Sequence, residues 1–230
     1  MSSVKLEHIS KIYENNIIAL DNININIKQG EFVFITGQSG SGKTTLLNII
    51  IKELDVSNGK IYFDNEDITN IRNKKIPYIR RKMGIINQRK LLLDDKNVYK
   101  NIELVLMATE RKIQNKFNYI QSVLGIVGMR EKIYSMPYEL SGGEYSKIEL
   151  ARAIVNNPKI IIADEPTSGL DRDSVWDIIS LLSDINRRGI TIIVSTHDKE
   201  IVNIMKKRVI TLYEGKIIGD VKNGKYGYLI

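Results

Sequence analysis

The sequence predicts an α/β fold: a core sheet of parallel strands, an antiparallel β portion ahead of it, and an α-helical lobe inserted into the core. Three observations carry this expectation. Residues 32–35 (FVFI) and 160–163 (IIIA) are short, wholly apolar runs of the kind that form strands buried on both faces. Residues 4–9 and 23–27 alternate instead, with Ile23, Ile25 and Ile27 on one face and Asn24 and Asn26 on the other. From 89 to 157 the apolar spacing turns helical: Val98, Ile102, Val105 and Leu106 share one face, and Phe117, Ile120, Val123, Leu124 and Val127 share another. At 230 residues the chain suits a single domain, with 1–88 and 158–230 as the α/β core and 89–157 as the lobe.

Taken in order, residues 11–22 read as a turn-like stretch carrying Tyr13. That ring is either an ordinary surface tyrosine or a flat face to stack on adenine. Next, GQSGSGKTT (37–45) follows the apolar strand and fits G-x-x-x-x-G-K-[ST] at Gly37, Gly42, Lys43 and Thr44. Gly37, Gly40 and Gly42 let the backbone turn tightly and present bare N–H groups to an anion, and Ser39, Ser41 and Thr45 lie in the same cradle. Residues 44–51 have helix-forming composition, so the loop empties into a helix N-terminus, which favours phosphate. Lys43 is then placed for the β- and γ-phosphates and the Thr44 hydroxyl for Mg²⁺. A chance glycine-rich turn would lack this strand and helix. The loop implies a nucleoside triphosphate.

Residues 57–59 mark a turn and 60–63 a strand. The run 72–82 holds six basic side chains and no acid, which reads as a solvated helix face, with anionic lipid as the alternative. Residues 84–87 form a strand that ends at Gln88. Ser141 in LSGGE (140–144) is an N-cap candidate with Glu144 placed for a capping box, and Gly142 and Gly143 beside it offer a second anion site. The strand 160–163 carries Asp164 and Glu165 at its C-terminal end, where open α/β sheets bind ligands. Asp164 suits the Mg²⁺ side and Glu165 the polarisation of an attacking water. Residues 173–188 form an amphipathic helix, 190–194 a strand leading to His197 beside the γ-phosphate, and 208–212 with 216–220 a hairpin across Glu214-Gly215. His8 reads as structural.

Composition narrows the field. No apolar run approaches a membrane span, and MSSVKLEHI lacks a signal-peptide layout, so a cytosolic chain is expected. Zero cysteines exclude disulfides and thiolate metal sites. The net charge of +7 does not choose between nucleic acid, a membrane surface and solubility.

GQSGSGKTT, Gln88, LSGGE, IIIADEPTSGLD and STHD stand in an order and spacing that resembles the ABC-type ATPase cassettes. The resemblance implies a P-loop fold with a RecA-like core, ATP and Mg²⁺ as cofactors, and a head-to-tail homodimer with two ATPs between the subunits. It implies that Tyr13 stacks on adenine, that Gln88 touches Mg²⁺ and links the lobe to the active site, that Ser141, Gly142 and Gly143 close over the other subunit's ATP, and that Asp171 lies in a loop crossing the interface. Within the family the stretches 88–106, 137–171 and 196–220 resemble a cell-division branch. That implies an integral membrane partner of the FtsX type that regulates cell-wall hydrolases, and a peripheral place on the inner face of the membrane. Lipoprotein-release and peptide-efflux cassettes share most of these motifs. Soluble cassettes acting on nucleic acid or ribosomes usually add a zinc module, a coiled-coil arm or a second cassette, none of which is present, so no nucleic-acid partner is expected. There are departures: Tyr145, Ser146 and Lys147 stand where the cell-division type reads QQR, Asn87 precedes Gln88 where a phenylalanine is usual, and Ser168-Gly169 stands where Gly-Asn is commoner. Lys147 lacks the guanidinium fork, so slow turnover is expected. Leu91, Leu92 and Leu93 cannot all face inward from a short loop, so at least one is expected to be exposed and to meet the membrane partner. Packing against the lobe's own helices is the alternative for any one of them.

Overall fold

The computed structural model describes residues 2–88, 91–109 and 111–227. The first half runs β1 (Ser2–Ile12), β2 (Ile18–Lys28), β3 (Phe32–Thr36), α1 (Lys43–Ile50), β4 (Asn58–Phe63), β5 (Glu66–Asp67), α2 (Ile76–Arg80) and β6 (Met83–Ile86). Three helices follow: α3 (Val98–Ala108), α4 (Lys116–Ile126) and α5 (Gly142–Ile154). The chain closes with β7 (Ile160–Asp164), α6 (Arg172–Arg187), β8 (Thr191–Ser195), α7 (Lys199–Met205), β9 (Arg208–Tyr213) and β10 (Lys216–Val221).

Two sheets result. The antiparallel one has the order β2-β1-β4-β5, and the larger one the order β10-β9-β3-β8-β7-β6. In the larger sheet β9, β3, β8, β7 and β6 are parallel, and only the terminal hairpin strand β10 is antiparallel. Every residue of β3, β7 and β8 is buried, which accounts for the apolar runs 32–35, 160–163 and 192–194 within them.

The larger sheet divides the core into two layers. Phe32 and Phe34 of β3 point with Ile161 and Ala163 of β7 toward the layer that holds α3 to α7. Val33, Ile35, Ile160 and Ile162 point the other way, to α1 and the antiparallel sheet. Each such Phe, Val or Ile side chain contributes about 1.5–3 kcal/mol by burial, whereas exposed ion pairs such as Lys5–Glu7 contribute little. Apolar packing therefore sets the architecture. The helices α3 to α7 begin on polar side chains: Asn97, Asn115, Ser141, Asp171 and Asp198 each accept a backbone N–H of the following turn.

Four details differ from the sequence reading. Gly59 is not in a turn but inside β4, at φ 96°, facing a break in the pairing of β1 with β4. Arg80 is not simply solvated: its guanidinium donates to the carbonyls of Ile51 (2.9 Å) and Lys52 (2.8 Å), closing the C-terminal end of α1. Phe117 is not in the core but half exposed, stacked at 6.4 Å on Tyr134. The short helix α7 had no clear apolar period, since only Ile201 and Val202 are buried.

Gly59→Ala will lower stability by about 2–4 kcal/mol, because a Cβ there falls 2.4 Å from the His8 carbonyl oxygen and the backbone is left-handed. Urea unfolding measures it; a change below 1 kcal/mol would mean that the strand pair relaxes around the methyl, for which about 1 kcal/mol is the least that such strain costs.

Candidate active site

Parallel strands deliver their C-terminal ends to one edge of the sheet. Here the order β3-β8-β7-β6 sets four chain segments side by side: the loop 37–42 after β3, His197 after β8, Asp164–Glu165 at the end of β7, and Gln88 after β6. They share a cleft of about 660 Å³ lined by Tyr13, Ser39, Gly40, Gly42, Lys43, Thr44, Thr45, Gln88, Asp164, Glu165 and His197, with Ile17, Ile18 and Ala19 closing one side. Gly37 and Ser41 belong to the same loop without lining the cleft.

The loop's glycines are forced by space as well as by φ. A Cβ on Gly37 (φ 148°) would lie 2.3 Å from the Leu212 carbonyl oxygen, and one on Gly42 (φ 102°) 2.6 Å from that of Ala19. The loop is thus pressed against β9 and β2, leaving its open side to the cleft. Gly42 leads directly into α1, whose first turn has no side-chain cap, so its N–H groups are left for an anion. Ser41 Oγ is, among the described residues, the buried side-chain polar atom without a hydrogen-bond partner. Lys43 folds back and donates to the carbonyls of Gly37 (2.8 Å) and Gln38 (3.0 Å), bracing the loop with two of its three protons. Tyr13 is half exposed at the cleft rim, its hydroxyl 3.2 Å from Thr45 Oγ1.

Opposite the loop, Asp164 is buried and Glu165 nearly so, its side chain 11% exposed. His197 Nδ1 lies 2.9 Å from Glu165 Oε2, while the imidazole itself is 69% exposed toward the cleft. Glu165 has φ 50°, a left-handed backbone that costs a non-glycine residue about 1–3 kcal/mol. Ser195, at the end of β8, holds it there: its Oγ donates to Asp164 Oδ1 and accepts the Glu165 N–H at 3.0 Å. Sequence reasoning passed over Ser195, whose only signal was its place at the end of an apolar strand.

Ser141, Gly142, Gly143 and Asp171 do not line this cleft. Ser141 caps α5 and forms the reciprocal capping box with Glu144: Glu144 N–H to Ser141 Oγ at 3.2 Å, and Ser141 N–H to Glu144 Oε2 at 2.9 Å. That donation, followed by the Lys132 ammonium, holds the Glu144 carboxyl below the usual glutamate value. Asp171 caps α6 through Ser174, whose hydroxyl and N–H keep its carboxyl low; the cap is intact above the usual aspartate pKa and lost as pH falls through the lowered one. Gly143 faces Ser174 so closely that a Cβ would lie 2.4 Å from Ser174 Oγ, so the two caps form one surface.

Oxygen donors in the cleft lining include the Asp164 carboxylate, the Thr44 hydroxyl and the Gln88 amide. No cluster of three or more His, Cys, Asp or Glu fit to hold a metal occurs among the described residues. This donor set suits Mg²⁺, which takes oxygen ligands with only one or two carboxylates among them and completes its shell with phosphate oxygens and water. No helix among the described residues is long and apolar enough to cross a membrane.

Comparison with known proteins identifies the family. The sequence profile of the ABC transporter family matches residues 20–168. The cell division ATP-binding protein FtsE of Streptococcus pneumoniae is 39% identical over 228 residues, covering 99% of each chain. FtsE of Bacillus subtilis is 39% identical over 224 residues, and that of Escherichia coli 37% over 218, with 97% and 95% of this chain and 98% of each relative covered. Among solved structures, a dimeric ATP-binding cassette in a post-hydrolysis state bound to ADP and Pi superposes with a TM-score of 0.88 at 35% identity, over 97% of this chain and 100% of the other. A second dimeric bacterial ABC transporter cassette gives 0.88 at 34%, with the same coverage.

Ser195→Ala will lower kcat by about tenfold with little change in KM for ATP, since one hydrogen bond holding Glu165 in place is lost. Steady-state ATPase kinetics test this; an unchanged kcat would show that strand pairing alone fixes Glu165.

Proposed function

The chain belongs to the ABC transporter family of ATPases, and from that premise we propose that it hydrolyses ATP as the motor subunit of a membrane-associated cell-division complex. The observation that carries the reading is the meeting of the loop 37–45, Gln88, Asp164, Glu165 and His197 in one cleft. In this reading Tyr13 stacks on adenine, the N–H groups of residues 37–45 and Lys43 hold the phosphates, and Thr44, Gln88 and Asp164 hold Mg²⁺. Bound there, the ion would neutralise charge on the phosphoryl oxygens.

Glu165 polarises the attacking water. Its carboxylate is shielded, its backbone is pinned by Ser195, and the His197 ring at 2.9 Å orients it. His197, open to the cleft, meets the γ-phosphate. Hydrolysis needs a carboxylate that does not swing away, and the strained backbone held at two points supplies that preorganisation.

Ser141, Gly142, Gly143 and Asp171 serve a second copy. They lie outside the chain's own cleft, on the surface formed by the caps of α5 and α6, and the two solved relatives described above are dimers. Two copies head to tail would each close the signature turn over the other's ATP.

The relatives' names favour cell division over transport, and we infer an integral membrane partner of the FtsX type at the inner face of the membrane. Its docking place is a cleft of about 360 Å³ with an apolar floor that includes Met83, Ile85, Val105 and Ala153, rimmed by Arg80, Arg81 and Arg152. Leu91 and Leu93, 41% and 46% exposed, fit the expected contact, whereas Leu92 is only 6% exposed and packs in the core.

Two pairs of variants test the proposal. Glu165→Gln should keep ATP binding, accumulate ATP-bound dimer and lower kcat by about 10²–10⁴, whereas Lys43→Ala should lose nucleotide affinity; near-normal turnover of the glutamine variant would remove Glu165 from its role. Leu93→Asp should melt near wild type, bind ATP and no longer co-sediment with membranes that carry the partner. Leu92→Asp should lose about 3–5 kcal/mol of stability. Normal sedimentation of Leu93→Asp would exclude this leucine from the contact.

A further inference from the structure

Residues 91–93 are held by side chains rather than by strand or helix pairing. The Leu92 N–H donates to the Tyr145 hydroxyl at 2.9 Å, and the Leu91 N–H to Glu149 Oε1 at 3.2 Å. Arg152 donates to the Leu91 carbonyl at 2.6 Å. From the other side, Asn101 of α3 accepts the Leu93 N–H at 2.7 Å and donates to the Leu93 carbonyl at 3.1 Å. Tyr145, Glu149 and Arg152 follow each other at helical spacing on α5, the helix that Ser141 caps.

α5 is also close to the strand that leads into this segment. A Cβ on Gly84 of β6 would lie 2.6 Å from the Ala153 carbonyl oxygen, so α5 and β6 touch backbone to backbone. One rigid helix therefore carries the Ser141–Gly143 turn at its N-terminus and grips the stretch beyond Gln88 along its side. Tyr145 is the grip nearest the turn. Its ring is buried, and burial pushes its phenol up, so it stays a neutral hydroxyl. A glutamine, which the resemblance predicts at this position, is shorter than a tyrosine and would not span the same gap without movement of the loop.

We propose that Tyr145 is a positioning residue that ties the Ser141–Gly143 turn to the Leu91–Leu93 segment, so that closure of the turn over ATP is felt as a change in that segment. Because the turn does not touch its own chain's cleft, this rests on the reading that it closes over the second copy's ATP. The tie is a hydroxyl on a buried amide. Removing the hydroxyl strands the Leu92 N–H in the core while leaving the ring's packing in place.

The test is amide hydrogen exchange on the full chain carrying Glu165→Gln, with and without Mg²⁺–ATP. In that parent, ATP should slow exchange both in the stretch 141–146 and at residues 91–93. Adding Tyr145→Phe should leave the slowing at 141–146 and remove it at 91–93, with basal exchange there about tenfold faster, the local-opening equivalent of one hydrogen bond. Tyr145→Gln should do the same and serves if the phenylalanine variant fails to fold. Equal slowing at 91–93 in parent and variant would overturn the tie. Absence of any ATP effect at 141–146 in the parent would instead overturn the two-copy reading, and the tie with it.

Discussion

The alignment of parallel strands at one edge of the larger sheet is the constraint on which the site depends. Residues 32–35 pair in register with 192–195, and 160–164 with 191–195 on the other side, so the ends of β3, β8 and β7 fall at one level. That register is set by burial on both faces: shifting one strand by a single residue would exchange the two apolar layers and carry the loop or a carboxylate out of line. Positioning of Glu165 against the phosphate loop is thus derived from the packing of Phe34, Ile162 and Ile193, which never touch nucleotide.

Given that frame, the site concentrates its strain at one residue. Glu165 is the left-handed position among its reactive groups, while Lys43, Asp164 and His197 have ordinary backbones. The strain is offset locally by the Ser195 hydrogen bonds to Asp164 and to the Glu165 N–H. A glycine would suit this φ better, but it would lack the carboxylate. The proposed role needs the carboxylate, and the neighbouring strand compensates for the strain.

How much of this was legible in the sequence follows from where its causes lie. The buried strands, the phosphate loop and the paired acids are local patterns, and the structure has them where the residues indicated. Gly59 was misplaced because a glycine inside a bulged strand and one in a turn look alike along the chain; the His8 carbonyl that excludes a side chain there is distant in sequence. Phe117 fits the helical period of α4 yet stacks on Tyr134, a partner that periodicity does not show. Ser195 and Arg80 act through contacts across 30 and about 28 positions of sequence, which no local pattern encodes. Three leucines in a row limited the answer to at least one exposed, and only the packing decided that Leu92 is the inward one.

Three of the departures from the expected pattern, Tyr145, Ser146 and Lys147, lie on α5, and the contacts of Tyr145 and Lys147 explain how the helix tolerates those two. Lys147 reaches Asp177 of α6 at 2.6 Å, a single point of contact where a guanidinium would have made two. With its side chain 23% exposed and that of Asp177 57%, this pair sits near the surface and contributes little to stability. Tyr145 moves the other way, from solvent-compatible amide to buried phenol with a direct bond to the Leu92 backbone. The helix thus gives up grip on α6 and gains grip on the segment beyond Gln88. Since α5 touches both, the balance between these contacts decides which neighbour follows when its N-terminal turn moves. Under the proposed coupling, the Leu91–Leu93 side would follow the turn through Tyr145, Glu149 and Arg152, and Arg152 also lines the cleft where the membrane partner is proposed to dock.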